Sequence, residues 1–279
     1  MPPAVLPLVL LAAVCHAGWN ALLKESGNPL VLSARAVAWG TVLSFPLVGI
    51  AWVLHGRPGL PPAAWALAGI SALMELVYFI FLSTAYRRGE LSVVYPIARG
   101  TAPLLAVVVG LVLLGERLHP VALIGVGLLL AGIWAVRRPS AASGVLLPAL
   151  ATGVMIAAYT SLDRVGVRLA PPWLYGWVLW LFAAVFLSGY TTLRGRAIEG
   201  SPPRLPTAIV VGGLMTAAYF MVLLALSIAP LAVIAPVRES AIVLVTAWGI
   251  WRLREREGLW LRFGGAVAIV LGIGLLAFA

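Results

Sequence analysis

Ten apolar stretches fill almost the whole chain, at approximately residues 4–23, 29–54, 63–86, 91–114, 120–136, 144–162, 172–193, 207–227, 231–251 and 259–278. The second five repeat the first five at an offset of about 140 residues. At a helical rise of about 1.5 Å per residue, each stretch can cross about 30 Å of hydrocarbon. Hydrophobic residues make up 62% of the 279 positions and charged residues 10%, with a mean hydropathy of +1.06. No soluble fold of this size has an interior able to hide so much apolar side chain. An odd number of crossings per repeat forces the second copy to enter the membrane upside down. The expected architecture is therefore an all-α integral membrane protein. It has ten transmembrane helices in two inverted five-helix repeats, residues 1–138 and 139–279.

Several function classes fall away. A net charge of +10 and a pI near 10.8 would suit a nucleic-acid binder, but most arginines sit in helix connections beside lipid headgroups. No nucleic-acid partner is expected. The histidines at 16, 55 and 119 lack zinc-ligand spacing, and Gly125-x-Gly127 lies inside an apolar span rather than in a dinucleotide loop. No cofactor, metal or catalytic constellation is expected, and the chain does not read as an enzyme. Cys15 is the sole cysteine and has no intrachain partner. Residues 2–14 lack a preceding basic region and read as the start of helix one rather than a cleaved leader.

The basic residues divide unevenly between the two faces. Arg57, Arg117, Arg164 and Arg168 fall on the face of the N-terminus. The opposite face carries Lys24, Arg87, Arg88, Arg137, Arg138, Arg194, Arg196, Arg204, Arg252, Arg254 and Arg256. The positive-inside rule then makes the second face cytoplasmic and puts both termini outside.

Ionisable groups inside the spans are the candidate functional residues, since each costs roughly 2.5–3.5 kcal/mol near the midplane on insertion scales. They are Arg35, Glu75, Arg99, Arg238 and Glu239. Unpaired, they would together cost on the order of 12–17 kcal/mol, so they must face one another or a wet cavity. Arg99 and Glu239 occupy equivalent places in the two repeats, each three residues after a proline, Pro96 and Pro236. Two readings stand for them: an arginine gripping a substrate carboxylate or phosphate, or a structural pair stitching helices four and nine. Glu75 shares a helix face with Ser71 and Tyr78, and suits either proton coupling or a salt bridge with Arg99 or Arg35. Arg35 is near enough to a helix end to snorkel.

His16, Asn20 and Lys24 recur every four residues, making a polar stripe with Trp19 beside it. Tyr95 shares a face with Arg99, and Tyr159 is the repeat mate of Trp19. Aromatic groups around a charged centre suit an organic solute. Trp173, Trp177 and Trp260 read as interface anchors. In helices five and ten, Gly264, Ala268 and Gly272 recur every four, and Gly127 is followed at the same interval by Ala131. Those helices should pack together or form a dimer face, so the chain is a monomer or a homodimer through them. Glu116 and Glu255 belong to helix connections, where capping and loop pairing are expected.

The motifs Ala85-Tyr86-Arg87-Arg88-Gly89, Tyr95-Pro96-Ile97-Ala98-Arg99-Gly100 and Leu114-Gly115-Glu116-Arg117-Leu118, with Gly125, resemble the first repeat of an EamA-type member of the drug/metabolite transporter superfamily. His16-Ala17-Gly18-Trp19-Asn20 with Lys24 is similar to the opening helix of one branch. Pro236-Val237-Arg238-Glu239-Ser240, followed by Glu255 and Gly264-Gly265, looks like the matching second-repeat motif. The resemblance implies a ten-helix bundle in the bacterial inner membrane that exports or exchanges a small anionic or zwitterionic metabolite, such as an amino acid, by alternating access. It also implies cytoplasmic termini, opposite to the arginine count. With no P-loop in the chain, the drive would come from protons or an exchanged solute. Arg99, Glu239 and Glu75 would line a midplane cavity built by helices one, three, four, six, eight and nine. The alternative is a flippase for a lipid-linked substrate, or an accessory membrane subunit, with a cavity open sideways to lipid.

Overall fold

The computed structural model describes residues 2–88, 91–136, 143–194, 203–240 and 259–278. Within them the chain is helical throughout: α1 (Val5–Glu25), α2 (Pro29–Leu54), α3 (Pro62–Arg88), α4 (Leu91–Val108), α5 (Pro120–Val136), α6 (Ser143–Leu169), α7 (Pro172–Leu193), α8 (Leu205–Ile228), α9 (Leu231–Arg238) and α10 (Leu259–Phe278). A π-helical turn, Val109–Leu113, continues α4. Proline opens α2, α3, α5 and α7, where the first turn has no use for the missing N–H. Asn28 caps α2, its side chain accepting from the Val31 N–H at 3.1 Å.

Six helices, α1, α2, α3, α6, α7 and α8, are long and apolar enough to cross a membrane. The segments 97–113, 120–135 and 263–278 are shorter apolar helices. Large apolar side chains lie on the outside, for example Phe45, Leu47 and Ile50 of α2 and Ile70 and Leu73 of α3. Charged side chains such as Glu75, Arg99, Asp163, Arg238 and Glu239 lie inside. That inside-out distribution is stable only with lipid as the solvent.

Two boundaries differ from the sequence expectation. Helix six runs to Leu169, so Asp163 and Arg164, read as a connection, are buried within a helix. Span nine begins as the short α9, which contains Pro236 and ends in a turn, where Glu239 N–H reaches Pro236 O (3.1 Å) and Ser240 N–H reaches Val237 O (3.0 Å). The rest of that span, Glu255 included, lies outside the described residues.

The packing runs mainly between the two halves. α5 lies on α10, α3 on α6 and α7, α4 on α6 and α9, and α2 on α7 and α8, while α1 lies on α8. Neighbours in sequence touch far less. Small residues make the closest crossings possible. On α5 and α10, a Cβ on Gly132 would fall 2.6 Å from Gly265 O, and one on Gly272 would fall 2.6 Å from Gly125 O. Helices five and ten therefore pack on each other, but through Gly125, Gly132, Gly265 and Gly272. Gly127 and Gly264 meet nothing within 4 Å.

A polar latch ties the end of the π turn to the second half. Glu116 accepts from the N–H groups of Leu231 (2.7 Å) and Ala232 (2.9 Å), which caps α9, and from Arg164 Nε (3.1 Å). Arg164 also donates to Leu226 O at the end of α8. Lys24 of α1 donates likewise to Tyr86 O of α3, at 2.7 Å. Glu116 thus performs the capping and pairing expected of it.

Gly272→Val should lower thermal stability by roughly 1–3 kcal/mol through overpacking, whereas Gly274→Ala, with nothing within 4 Å, should leave it unchanged. Melting of the detergent-purified protein followed by light scattering checks both. Glu116→Ala, which strips two backbone donors of their acceptor, should cost about 1–3 kcal/mol in the same assay.

Candidate functional site

The buried charges of both halves converge on one central cluster. Arg99 of α4 and Glu239, at the turn ending α9, form an ion pair with Nη1 to Oε1 at 3.0 Å. They are 4% and 2% exposed. Arg238 approaches the same carboxylate, Nε to Oε1 at 3.5 Å, and its Nε makes no hydrogen bond. The short α9 places two successive charged side chains here, and its C-terminal end favours the cation. The Trp19 ring lies under the Arg99 guanidinium, 5.9 Å from centroid to Cζ. His16 fixes that ring by accepting from Trp19 Nε1 at 3.0 Å through Nδ1. Asn20 donates to His16 O at 2.7 Å and accepts from the Tyr86 hydroxyl at 3.0 Å.

The stitching geometry is thus the one found for Arg99 and Glu239. Among the described residues two guanidinium groups share one carboxylate, with little water to screen them.

Asp163 heads a second, acidic pole. It is 1% exposed. Its Oδ1 accepts from Ser71 Oγ at 2.6 Å and the Tyr175 hydroxyl at 3.0 Å, and its Oδ2 from the Tyr219 hydroxyl at 2.5 Å. Glu75, one helical turn beyond Ser71 on α3, is its electrostatic neighbour. Glu75 is 3% exposed, and its Oε2 has no hydrogen-bond partner. Glu75 forms no ion pair with Arg99 or Arg35 among the described residues; the facing acid is Asp163. Aromatic rings wall this pole, with centroids of Tyr78 and Tyr159 5.8 Å apart, Tyr159 and Tyr219 6.5 Å, and Trp180 and Tyr219 5.0 Å. Tyr159 sits between the poles, within electrostatic reach of Arg238, Arg99, Glu75 and Asp163.

Of the sequence-predicted residues, His16, Trp19, Asn20, Glu75, Tyr78, Arg99, Tyr159, Arg238 and Glu239 are therefore gathered into one cluster. It is built by α1, α3, α4, α6, α8 and α9, with α7 contributing Tyr175 and Trp180. These side chains pack closely and are almost wholly excluded from solvent. Arg35 is not among them. It is exposed and donates to Pro203 O at 2.9 Å, beside a groove lined by Ala38, Trp39, Ser188 and Thr191 of α2 and α7. The Tyr95 side chain lies outside the described residues. Trp177, read as an interface anchor, donates to Thr41 O of α2 at 3.2 Å.

Asp163, Tyr175 and Tyr219 are absent from the sequence reading. The available signal was spacing, because Asp163 lies one turn after Tyr159 and so shares its face.

Residues 4–138 match the EamA-like transporter family. The "uncharacterized transporter YwfM" of Bacillus subtilis (strain 168) is 28% identical over 208 residues, covering 72% of this chain and 69% of the relative. A solved crystal structure, described only as that of a protein, has a TM-score of 0.72 at 20% identity, covering 98% of this chain and 96% of that one. It shows that the helical fold is one already observed. The first half of the chain thus matches the EamA-like transporter family, and the chain as a whole is similar to a protein named as a transporter.

Proposed function

We propose that this transporter is a secondary carrier that exports a small anionic or zwitterionic metabolite, such as an amino acid, across the bacterial inner membrane by alternating access. The observation that carries this reading is the buried two-pole cluster. Arg99 and Arg238 share Glu239 on one side, while Glu75 and Asp163 face each other on the other. A purely structural core would gain more from apolar packing than from five buried ionisable groups. Ionisable residues inside a membrane bundle belong by default to a substrate or ion path.

The inverted repeat is supported by contacts that recur when the halves are exchanged. Arg99 and Glu239, 140 residues apart, touch each other. The Gly125–Gly272 crossing maps onto Gly265–Gly132. Lys24 on Tyr86 O maps onto Arg164 on Leu226 O. Such a two-fold relation lets one packing scheme open to either face by rocking the halves. Glu116, which accepts from the first N–H groups of α9, would latch one end of the bundle in that cycle. The arginine asymmetry supports termini on the outer face, against the cytoplasmic termini that the family resemblance implies, and proton coupling or exchange runs through Glu75. The groove beside Arg35 shares no residue with the cluster, which favours a carrier over a flippase fed sideways from lipid.

Arg238→Ala should weaken substrate uptake into proteoliposomes by roughly 10- to 100-fold, with the melting temperature lowered only modestly because the Arg99–Glu239 pair survives. Full activity for carboxylates and organophosphates alike would remove arginine from the site. Glu75→Gln should make transport insensitive to an imposed pH gradient while exchange of labelled for unlabelled substrate persists. An unchanged response to the gradient would take Glu75 out of the coupling path.

A further inference from the structure

We infer that the crevice between the N-terminal end of α2 and the C-terminal ends of α3 and α7 binds the headgroup of an anionic phospholipid. The crevice encloses about 160 Å³, and Asn28, Ser83, Arg87, Tyr190 and Arg194 are among its lining residues. It shares no residue with the central cluster, so the inference does not rest on the carrier reading.

The first ground is charge. Two guanidinium groups line the crevice and no carboxylate does. Arg87 lies in the last turn of α3. Arg194 caps α7, its Cζ 5.9 Å from the centroid of the Tyr190 ring. Arginine at a helix C-terminus is ordinary, but here the N-terminal end of α2, with its own positive pole, meets both.

The second ground is hydrogen bonding. Hydroxyl side chains inside these helices mostly bond back to a carbonyl one turn earlier, as Ser33, Thr41, Ser44 and the adjacent Thr84 do. Ser83 is 3% exposed, yet its Oγ has no hydrogen-bond partner. A buried hydroxyl left unmet beside two guanidinium groups is a donor set suited to phosphate oxygens.

The third ground is the setting, which selects a lipid over a free phosphate. α2, α3 and α7 are each long and apolar enough to cross a membrane, so their ends reach headgroup depth. These ends lie on the face richer in basic residues, which anionic headgroups attract. Leu193, beside Arg194, is 88% exposed. From Ile80 in the crevice an apolar seam runs along α3 and α7. There the half-buried Phe182 and Phe186 rings stack at 6.0 Å between centroids, Phe182 faces Gly69, and Leu73 is exposed. An acyl chain laid on that seam would bury apolar surface that inorganic phosphate cannot. A lipid so held would tie the end of α3 to those of α2 and α7.

The test uses the full-length protein, delipidated in detergent, with native mass spectrometry and thermal melting as readouts. The probes are phosphatidylglycerol, phosphatidylcholine and inorganic phosphate. The wild type should retain phosphatidylglycerol in preference to phosphatidylcholine and melt higher with it, whereas inorganic phosphate should leave melting unchanged. Arg87→Gln and Arg194→Gln should each weaken phosphatidylglycerol retention by roughly fivefold. Arg88→Gln removes the same charge from an exposed side chain that does not line the crevice, and it should retain the lipid as the wild type does. Ser83→Ala removes only an unpartnered hydroxyl. It should melt like the wild type without lipid while retention falls by about two- to tenfold.

Equal retention of the two lipids, or an Arg88→Gln loss as large as that of Arg87→Gln, would reduce the crevice to diffuse surface charge and overturn the site. Stabilisation by inorganic phosphate equal to that by phosphatidylglycerol would make it a site for a soluble anion and overturn the lipid assignment.

Discussion

Putting ionised groups into a bundle whose solvent is hydrocarbon is the constraint on which this architecture depends. Each buried charge carries a desolvation cost of several kcal/mol that only close counter-charges and hydrogen bonds offset. The compensation here is drawn from many helices at once. Glu239 from the second half meets Arg99 from the first, Trp19 of α1 backs Arg99, and Asp163 of α6 is held by hydroxyls from α3, α7 and α8. The polar centre therefore fixes which helices meet. The outer faces, lined by leucine, valine and phenylalanine, fix only that the whole lies in lipid.

How much of this could be read beforehand depends on the range of the forces involved. Helix positions follow from local hydropathy, and among the described residues they were legible to within a few residues except at span six and at span nine, whose α9 ends at Arg238. In span six the pair Asp163-Arg164 lowers the local hydropathy and mimics a helix end. What keeps it helical is tertiary: Ser71, Tyr175 and Tyr219 for the acid, Glu116 and Leu226 for the base. No window along the sequence contains those partners. The Arg99–Glu239 pair was one of two readings for these residues, and it could be considered at all because they fall at matching places 140 residues apart, information that hydropathy lacks. Arg35 shows the opposite case. A charge six residues into a helix resembles a midplane residue in sequence, yet the side chain reaches out to Pro203 O, as a long flexible cation can.

The small-residue pattern was half legible for a related reason. An interval of four marks a helix face but does not say which of several glycine faces meets a partner. The crossing uses Gly125, Gly132, Gly265 and Gly272, where carbonyl oxygens would collide with any Cβ, rather than the face bearing Gly127 and Gly264.

Comparing the two halves position by position separates scaffold from chemistry. At the periphery the repeat is kept in kind. Lys24 and Arg164 each donate to a carbonyl at the end of a helix in their own half, and the glycine crossings reciprocate. At the centre the residues diverge at the same offset. Arg99 stands opposite Glu239, Arg238 opposite Ala98, Glu75 opposite Met215, Asp163 opposite Leu23 and Tyr219 opposite Phe79. Under the proposed carrier reading a rocking bundle needs its two ends to be alike, because each must close in turn by the same packing. A solute site needs no such likeness, and here the guanidinium groups lie on one side of the cluster and the acids Glu75 and Asp163 on the other. Similar packing at the periphery around a differing centre is what both demands would produce together.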